Sequence, residues 1–354
     1  MKLETLGYND KIQSLGLEIG LDDFEIGRVV TEHKERYLVL TEKGEFEAEI
    51  TGNLRYTASS RADFPAVGDW VALMIYDSNN AIIHKILPRY SVLSRKAVGV
   101  SGDVQIIATN IDYAFIVLSV DNDFSVNRTQ RYLTLCHASH IQPIIILNKV
   151  DLVTEAKLSE LMELLKTRLE RIPVLGVSAS TSKGLENIKE MIQVGNTYCL
   201  LGSSGVGKST LVNALSHKPL METREVSGSS KKGQHTTTHR ELVVLEKGGI
   251  LIDNPGMREV GLANVSDGFD KTFGSLLELA VDCQFKDCSH TVEKGCAVIQ
   301  AVERGKLDRS SYENYLKMKR EQVHFESTVA EKRKKDKDFG KMVKQFKRIK
   351  KSNK

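Results

Sequence analysis

Three short motifs in this chain describe one guanine-nucleotide site, yet they occur in an order that an ordinary Ras-like domain does not use. Asn148-Lys149-Val150-Asp151 reads as NKxD, the element that recognises guanine. Gly202, Ser203, Ser204, Gly205, Val206, Gly207, Lys208 and Ser209 match the phosphate-binding pattern GxxxxGKS, and Asp253-Asn254-Pro255-Gly256 reads as DxxG. The ordinary order is phosphate loop, switch threonine, DxxG, NKxD, whereas here NKxD comes first. One site still forms if the chain is circularly permuted, because permutation moves the termini and leaves the contacts intact. The permutation also sets whatever follows DxxG beside the nucleotide switch, as a candidate transmitter of nucleotide state.

The texture of the sequence agrees with a doubly wound α/β domain from residue 112 onward. Residues 113–118 and 143–147 are continuous apolar runs, as expected of parallel strands buried on both faces. Helices are expected over 127–139, 158–169 and 208–215. Strands are expected over 173–177, over 197–201 leading into the phosphate loop, and over 249–252 leading into DxxG. Cys136 and Cys199 fall inside these elements and read as small buried hydrophobes. Residues 218–240 are polar and rich in Gly and Ser, and lie where a first switch segment belongs.

Upstream, five short strands are expected over 24–31, 37–41, 45–50, 69–76 and 81–87. Phe46, Ala48 and Ile50 alternate with glutamates, the period-2 signature of a half-buried strand. Five short strands suit an OB-like barrel, which often binds oligonucleotides; another small barrel with a structural or protein-binding role is the alternative. The expected organisation is multidomain. It comprises an N-terminal extension (1–20), the OB-like β-barrel (21–92), a circularly permuted P-loop α/β GTPase domain (93–265), a C-terminal α-helical zinc-binding domain (266–330) and a basic tail (331–354).

Each motif carries a chemical reason. The phosphate-loop glycines let backbone N–H groups close around phosphates, Lys208 supplies charge at the β/γ-phosphates, the Ser209 hydroxyl is a Mg²⁺ ligand, and Thr210 beside it belongs to the GTP-binding set. The Asp151 carboxylate accepts from guanine N1–H and the 2-amino group, donors that adenine lacks at that place. Asn148 ties the loop together, the Lys149 stem covers the base, and Ser178-Ala179 fits the element whose backbone N–H meets guanine O6. Asp253 holds Mg²⁺ through water, and the Gly256 N–H meets the γ-phosphate. One of Thr236, Thr237 and Thr238 completes the Mg²⁺ shell, with Thr237 or Thr238 favoured. Met257 stands where Ras-like enzymes carry a water-orienting Gln, and a thioether cannot do that work. His235 is the nearest substitute, the alternative being a solvent-exposed loop histidine.

Five cysteines, an odd number, argue against a disulfide framework. Three of them cluster as Cys283-x4-Cys288-x-His290-x5-Cys296, which offers three thiolates and one imidazole. That is the donor set of a closed tetrahedral structural zinc site, one ion per chain. Unrelated cysteines beside a surface histidine are the alternative. Two amphipathic helices are expected around this cluster, followed by a helical stretch over 310–321.

Net charge is +4, but residues 331–354 hold 12 Lys/Arg against 3 Asp/Glu, so the rest of the chain is mildly acidic. A basic tail on such a body points to an anionic partner, nucleic acid before membrane, or else to a solvated tail. No apolar run approaches the roughly 18 residues of a membrane helix, and the N-terminus lacks a signal-peptide core. A cytoplasmic monomer with no membrane partner is the expectation.

The whole set resembles the ribosome small-subunit-dependent GTPase A family of bacteria: a β-barrel, then NKxD, SA, GxxGVGKS, GxHTTT, DxPG and CxxxxCxHxxxxxC. The resemblance spans nearly the whole chain. Asn254 and Met257 depart from the family's usual Thr and Phe. It implies a GTP hydrolase acting late in maturation of the small ribosomal subunit, with that subunit and its rRNA as partners and GTP/GDP as ligands. It implies nucleotide roles for Asn148, Lys149, Asp151, Lys208, Ser209 and Asp253, zinc ligation by Cys283, Cys288, His290 and Cys296, and a catalytic role for His235. A passive GTP-sensing RNA-binding module and a translation factor on mature ribosomes are the rival functions.

Overall fold

The computed structural model describes residues 2–17, 20–21, 23–33, 35–96, 104–121, 124–169, 171–216, 241–253 and 266–326. A short 3-10 turn (Leu3–Leu6) and helix α1 (Asp10–Leu17) precede the barrel strands. These are β1 (Glu25–His33), β2 (Arg36–Thr41), β3 (Gly44–Ile50), β4 (Trp70–Ile75) and β5 (Asn80–Ile86), with helix α2 (Gly52–Thr57) between β3 and β4. Pairing runs β1-β2-β3-β5-β4 and closes from β4 back to β1. Only the β3–β5 pair is parallel. A closed five-stranded barrel with a helix before its fourth strand is OB-like. The alternation in β3 is as expected: Phe46, Ala48 and Ile50 are buried and Glu45, Glu47 and Glu49 are exposed. Val29, Val39, Val71 and Ile83 complete the interior.

The first residues pack closely on this barrel. Leu6 and Ile12 are fully buried against Trp70 and Leu87, on the side of β4 away from the interior.

A hairpin follows, β6 (Val92–Lys96) with β7 (Val104–Thr109), which the sequence pattern had not announced. The α/β domain then runs β8 (Tyr113–Ser119), α3 (Val126–Ala138), β9 (Gln142–Asn148), α4 (Glu155–Arg168), β10 (Val174–Gly176), α5 (Leu185–Met191), β11 (Thr197–Leu201), α6 (Lys208–Ser216), β12 (Glu241–Val244) and β13 (Ile250–Asp253). Its strands are ordered β10-β9-β8-β11-β13-β12, parallel except for β12. The apolar run of β8 is divided between two cores. Ala114, Ile116 and Leu118 face the side holding Leu133 and Cys136 of α3, while Phe115 and Val117 face Leu211 and Leu215 of α6. That two-sided burial is why the strand shows no alternation. Cys136 and Cys199 are both buried, and burial pushes the Cys199 thiol up to about 12.

Helices α7 (Ser266–Thr272), α8 (Gly274–Ala280), α9 (Ala297–Glu303) and α10 (Arg309–Glu326) form the C-terminal unit. Phe269 and Phe273 of α7 and its C-terminal cap pack around Tyr315 of α10, with ring centroids 4.9–5.4 Å apart. α7 lies against α3 so closely that a Cβ on Gly268 would sit 2.2 Å from the Thr134 carbonyl oxygen.

Barrel and α/β domain meet at Arg28 of β1, 1% exposed. Its guanidinium donates to the carbonyls of Leu6, Gly68 (3.3 Å) and Asn110 (3.1 Å) and to the Thr197 hydroxyl (2.9 Å). Burial lowers its pKa from the ordinary value, while Tyr90, Asp112 and Asp69 oppose that shift. Asp69, also buried, accepts from Arg89 and from the Thr109 hydroxyl at 2.6 Å. Arg28→Met fills similar volume but leaves three interior carbonyls without this donor, so stability should fall by about 3 kcal/mol. Trp70 is the only tryptophan and its ring lies 5.4 Å from the guanidinium, so urea unfolding followed by its fluorescence reads this junction directly. An unchanged midpoint would mean that those carbonyls find other donors.

Candidate nucleotide site and metal centre

The motifs converge at the carboxyl ends of the parallel strands, where open α/β sheets bind ligands. β11, buried along its length, delivers Gly202. A Cβ there would stand 2.4 Å from the Val117 carbonyl oxygen of β8, so only glycine allows the loop to leave the sheet at that point. At the other end Gly207 has φ 94°, and a Cβ would meet Asn148 Nδ2 at 2.3 Å. Between them Ser203 is half-buried, Ser204 and Gly205 are exposed and Val206 is buried. Lys208, Ser209 and Thr210 open α6, so the loop stands over a helix N-terminus, a setting suited to anions. The Lys208 ammonium donates to the carbonyls of Gly202, at 2.7 Å, and Ser203.

One buried amide draws three motifs together. Asn148, 2% exposed at the end of β9, donates from Nδ2 to the Val206 carbonyl (2.9 Å) and accepts at Oδ1 from the Ala179 N–H (3.1 Å). Lys149 adopts the left-handed conformation (φ 63°) and its ammonium reaches the Asp121 carboxylate at 2.8 Å. Asp121 also accepts from the Ser119 hydroxyl at 2.6 Å. Asp151 is exposed in the 3-10 turn Val150–Leu152. The Ser178 N–H donates to the Lys183 carbonyl at 2.9 Å, and its hydroxyl accepts from the Thr181 N–H. β13 pairs with β11, so Asp253 ends its strand at the same edge as Gly202. Thr236, Thr237, Thr238, His235 and Gly256 lie outside the described residues. Motif reading missed Asp121 and Arg128, whose Nη1 donates to Ser203 Oγ at 2.6 Å; neither belongs to a spacing pattern.

The second cluster lies in the C-terminal unit. Cys283, Cys288, His290 and Cys296 each offer a ligand atom, all within 4.8 Å of one another. Cys283 Sγ lies 3.8 Å from Cys296 Sγ and 3.6 Å from His290 Nδ1, and Cys296 Sγ lies 3.5 Å from that nitrogen. A tetrahedral zinc with its usual bond lengths has S···S edges of about 3.8 Å and S···N edges of about 3.5 Å. The donors therefore fit zinc, and four protein ligands leave no open position for catalysis. Burial, with Lys319 nearby, lowers the His290 pKa and favours the neutral imidazole that binds metal. The knuckle is braced from two sides. Tyr312 of α10 donates its hydroxyl proton to the His290 carbonyl at 2.6 Å, and the Glu293 carboxylate accepts from the N–H groups of Ser289, Thr291 and Val292.

A P-loop sheet whose NKxD strand precedes its phosphate-loop strand in the chain, with DxxG last, defines a circularly permuted guanine-nucleotide-binding protein. More narrowly, this chain belongs to the RsgA GTPase family, whose model matches residues 86–263. It is 41% identical over 349 residues to the small ribosomal subunit biogenesis GTPase RsgA 1 of Bacteroides thetaiotaomicron, covering 98% of this chain and 97% of that one. It is 43% identical over 298 residues to the RsgA 2 of Listeria monocytogenes, covering 84% of each. Among solved structures it resembles YjeQ from Thermotoga maritima (TM-score 0.64, 27% identity, 84% of this chain and 98% of that one). It also resembles YloQ, described as a circularly permuted GTPase (TM-score 0.62, 25% identity, 88% and 99%). A further match, to the ABC transporter model over residues 185–347, takes in the phosphate loop but neither NKxD nor the barrel.

Protein purified without added zinc should contain about one zinc per chain. Cys288→Ala should lose it and open residues near 280–300 to protease, since ligation is folding energy in so small a unit. Metal loss with unchanged proteolysis and thermal stability would contradict a structural role.

Proposed function

We propose that this chain binds GTP at the carboxyl edge of β8, β9, β11 and β13 and hydrolyses it during late maturation of the small ribosomal subunit. The observation that carries the nucleotide half is the Asn148 amide, which joins the NKxD, SA and phosphate-loop elements into one surface. The relatives are small ribosomal subunit biogenesis GTPases, which supports the other half.

Asp151 selects guanine, the Lys149 stem covers the base, and an incoming guanine O6 shares the Ala179 N–H with Asn148. The Gly202–Gly207 backbone and Lys208 hold the phosphates, with the Gly256 N–H at the γ-phosphate. Ser209, Asp253 and one of Thr237 and Thr238 would hold Mg²⁺, which when bound neutralises charge between the β- and γ-phosphates. His235 orients the attacking water in place of the missing glutamine. The barrel, the zinc-binding unit and the basic tail engage rRNA, and the protein works as a cytoplasmic monomer divided as the sequence suggests, at about residues 20, 92, 265 and 330. Among the described residues no helix is long and apolar enough to cross a membrane.

Asp151→Asn replaces an acceptor by a donor facing donors, so GTP affinity should drop roughly a hundredfold or more while xanthosine triphosphate binding improves. Equal GTP affinity in both proteins would remove NKxD from the site.

Turnover should be slow alone and rise when small subunits are added. His235→Ala should keep GTP binding and lose most of the stimulated rate, a positioning effect, whereas Lys208→Ala should impair binding itself. No stimulation by immature or mature subunits would leave a passive nucleotide sensor, and equal stimulation by complete ribosomes would favour a translation factor. Normal stimulated turnover in His235→Ala would move water positioning to another group.

A further inference from the structure

Helix α3 touches the phosphate loop at its first turn and the C-terminal unit along its flank. Ser125 caps the helix, its hydroxyl accepting from the Arg128 N–H, and the Arg128 side chain leaves that turn toward the loop. Its Nη1 donates to Ser203 Oγ at 2.6 Å, while the carbonyl of the same Ser203 takes one of the hydrogen bonds from Lys208. Two cations therefore hold one loop residue, one through its side chain and one through its backbone. When Lys208 turns from those carbonyls to a phosphate, the Arg128 contact is one that need not break.

The neighbouring positions of α3 face α10. Gln130 and Asn314 are both buried, at 3% and 8% exposure. Asn314 Nδ2 donates to Gln130 Oε1 at 2.7 Å and to the Asn127 carbonyl at 3.2 Å, and Gln130 Nε2 donates to Ser311 Oγ at 3.2 Å. Arg131 pairs with Glu321 at the far end of the contact. Buried amides of this kind fix register, because a shift by one position would strand every donor away from water. Tyr312, which follows Ser311 in α10, holds the backbone of His290. From zinc knuckle to phosphate loop the path is thus His290, Tyr312, the amide lock between α10 and α3, Arg128 and Ser203, and it does not pass through the segment after DxxG.

We propose that Arg128 is a positioning residue of the phosphate loop, and that through it the docking of α10 on α3 sets how tightly the loop holds GTP and GDP. This rests on the nucleotide site proposed above. Arg128 acts on loop shape, so it preorganises binding of both nucleotides equally and does not touch the reacting phosphate. A charge-assisted bond on a largely exposed side chain should change affinity roughly three- to tenfold.

The test is equilibrium binding of fluorescent GDP and of a fluorescent non-hydrolysable GTP analogue to the full zinc-loaded chain. Arg128→Ala and Ser203→Ala should each weaken both nucleotides by that factor with unchanged thermal stability and zinc content. The double variant should be no weaker than either single one, and Arg128→Lys should recover part of the loss. Asn314→Ala should weaken binding in the wild-type background and leave it nearly unchanged in Arg128→Ala. Wild-type affinities in Arg128→Ala, or additive losses with Ser203→Ala, would overturn the positioning role, as would a fall in kcat with binding intact. Equal effects of Asn314→Ala in both backgrounds would overturn the coupling to α10. A wild-type chain that binds neither nucleotide would instead sink the nucleotide site itself.

Discussion

A guanidinium buried among backbone carbonyls is the constraint on which the arrangement of this molecule depends. Arg28 is a barrel residue, but its acceptors come from four places: the N-terminal turn, the loop before β4, the strand entry after β7 and the start of β11. The last two are telling in a permuted domain. Residues 110–112 are where the barrel feeds the α/β sheet, and Thr197 begins the strand that would open an unpermuted chain. Burying a cation without a carboxylate in direct contact is costly, and it is tolerated because every guanidinium nitrogen has an acceptor and Asp69 and Asp112 lie near. Sliding barrel against sheet would break several of those bonds at once.

The nucleotide edge uses the same device on a smaller scale. Asn148 is neutral and buried, and one amide group sets the spacing of loops that lie far apart in the chain. Gly207 makes room for it: a side chain at that position would collide with the amide. The zinc knuckle differs in kind. Its four donors come from a stretch of 14 residues with little core of its own, so metal ligation would supply what burial cannot. The aromatic contacts of Tyr315 and the Tyr312 hydrogen bond then attach that knuckle to helices that lean on α3.

How much of this was legible in the sequence depended on how local the governing force is. The alternation in β3 and the two-sided apolar run of β8 are written in residue order, and both elements occur at the expected places. The Cys/His spacing gave the metal cluster because its ligands lie close along the chain. By contrast α2 is six residues of mixed character and α5 seven, too short for periodicity to stand out. The β6–β7 hairpin takes its place from a junction pattern did not reveal, with Leu93 and Ile107 buried against Val67 of the barrel. Arg28 reads as an ordinary charged residue on a strand. Nothing in a linear pattern says that its partners lie up to 169 positions away.

The joining of barrel to sheet through Thr31 and Glu241 has a further consequence. An open parallel sheet ordinarily ends in two strands whose free N–H and C=O groups invite another chain to pair. Here β12 has β1 beside it, and the opposite border, β10, is only three residues long. The barrel, itself closed, therefore acts as a stopper on one border while brevity blunts the other. Among the described residues the sheet therefore offers no long template for a second copy to extend.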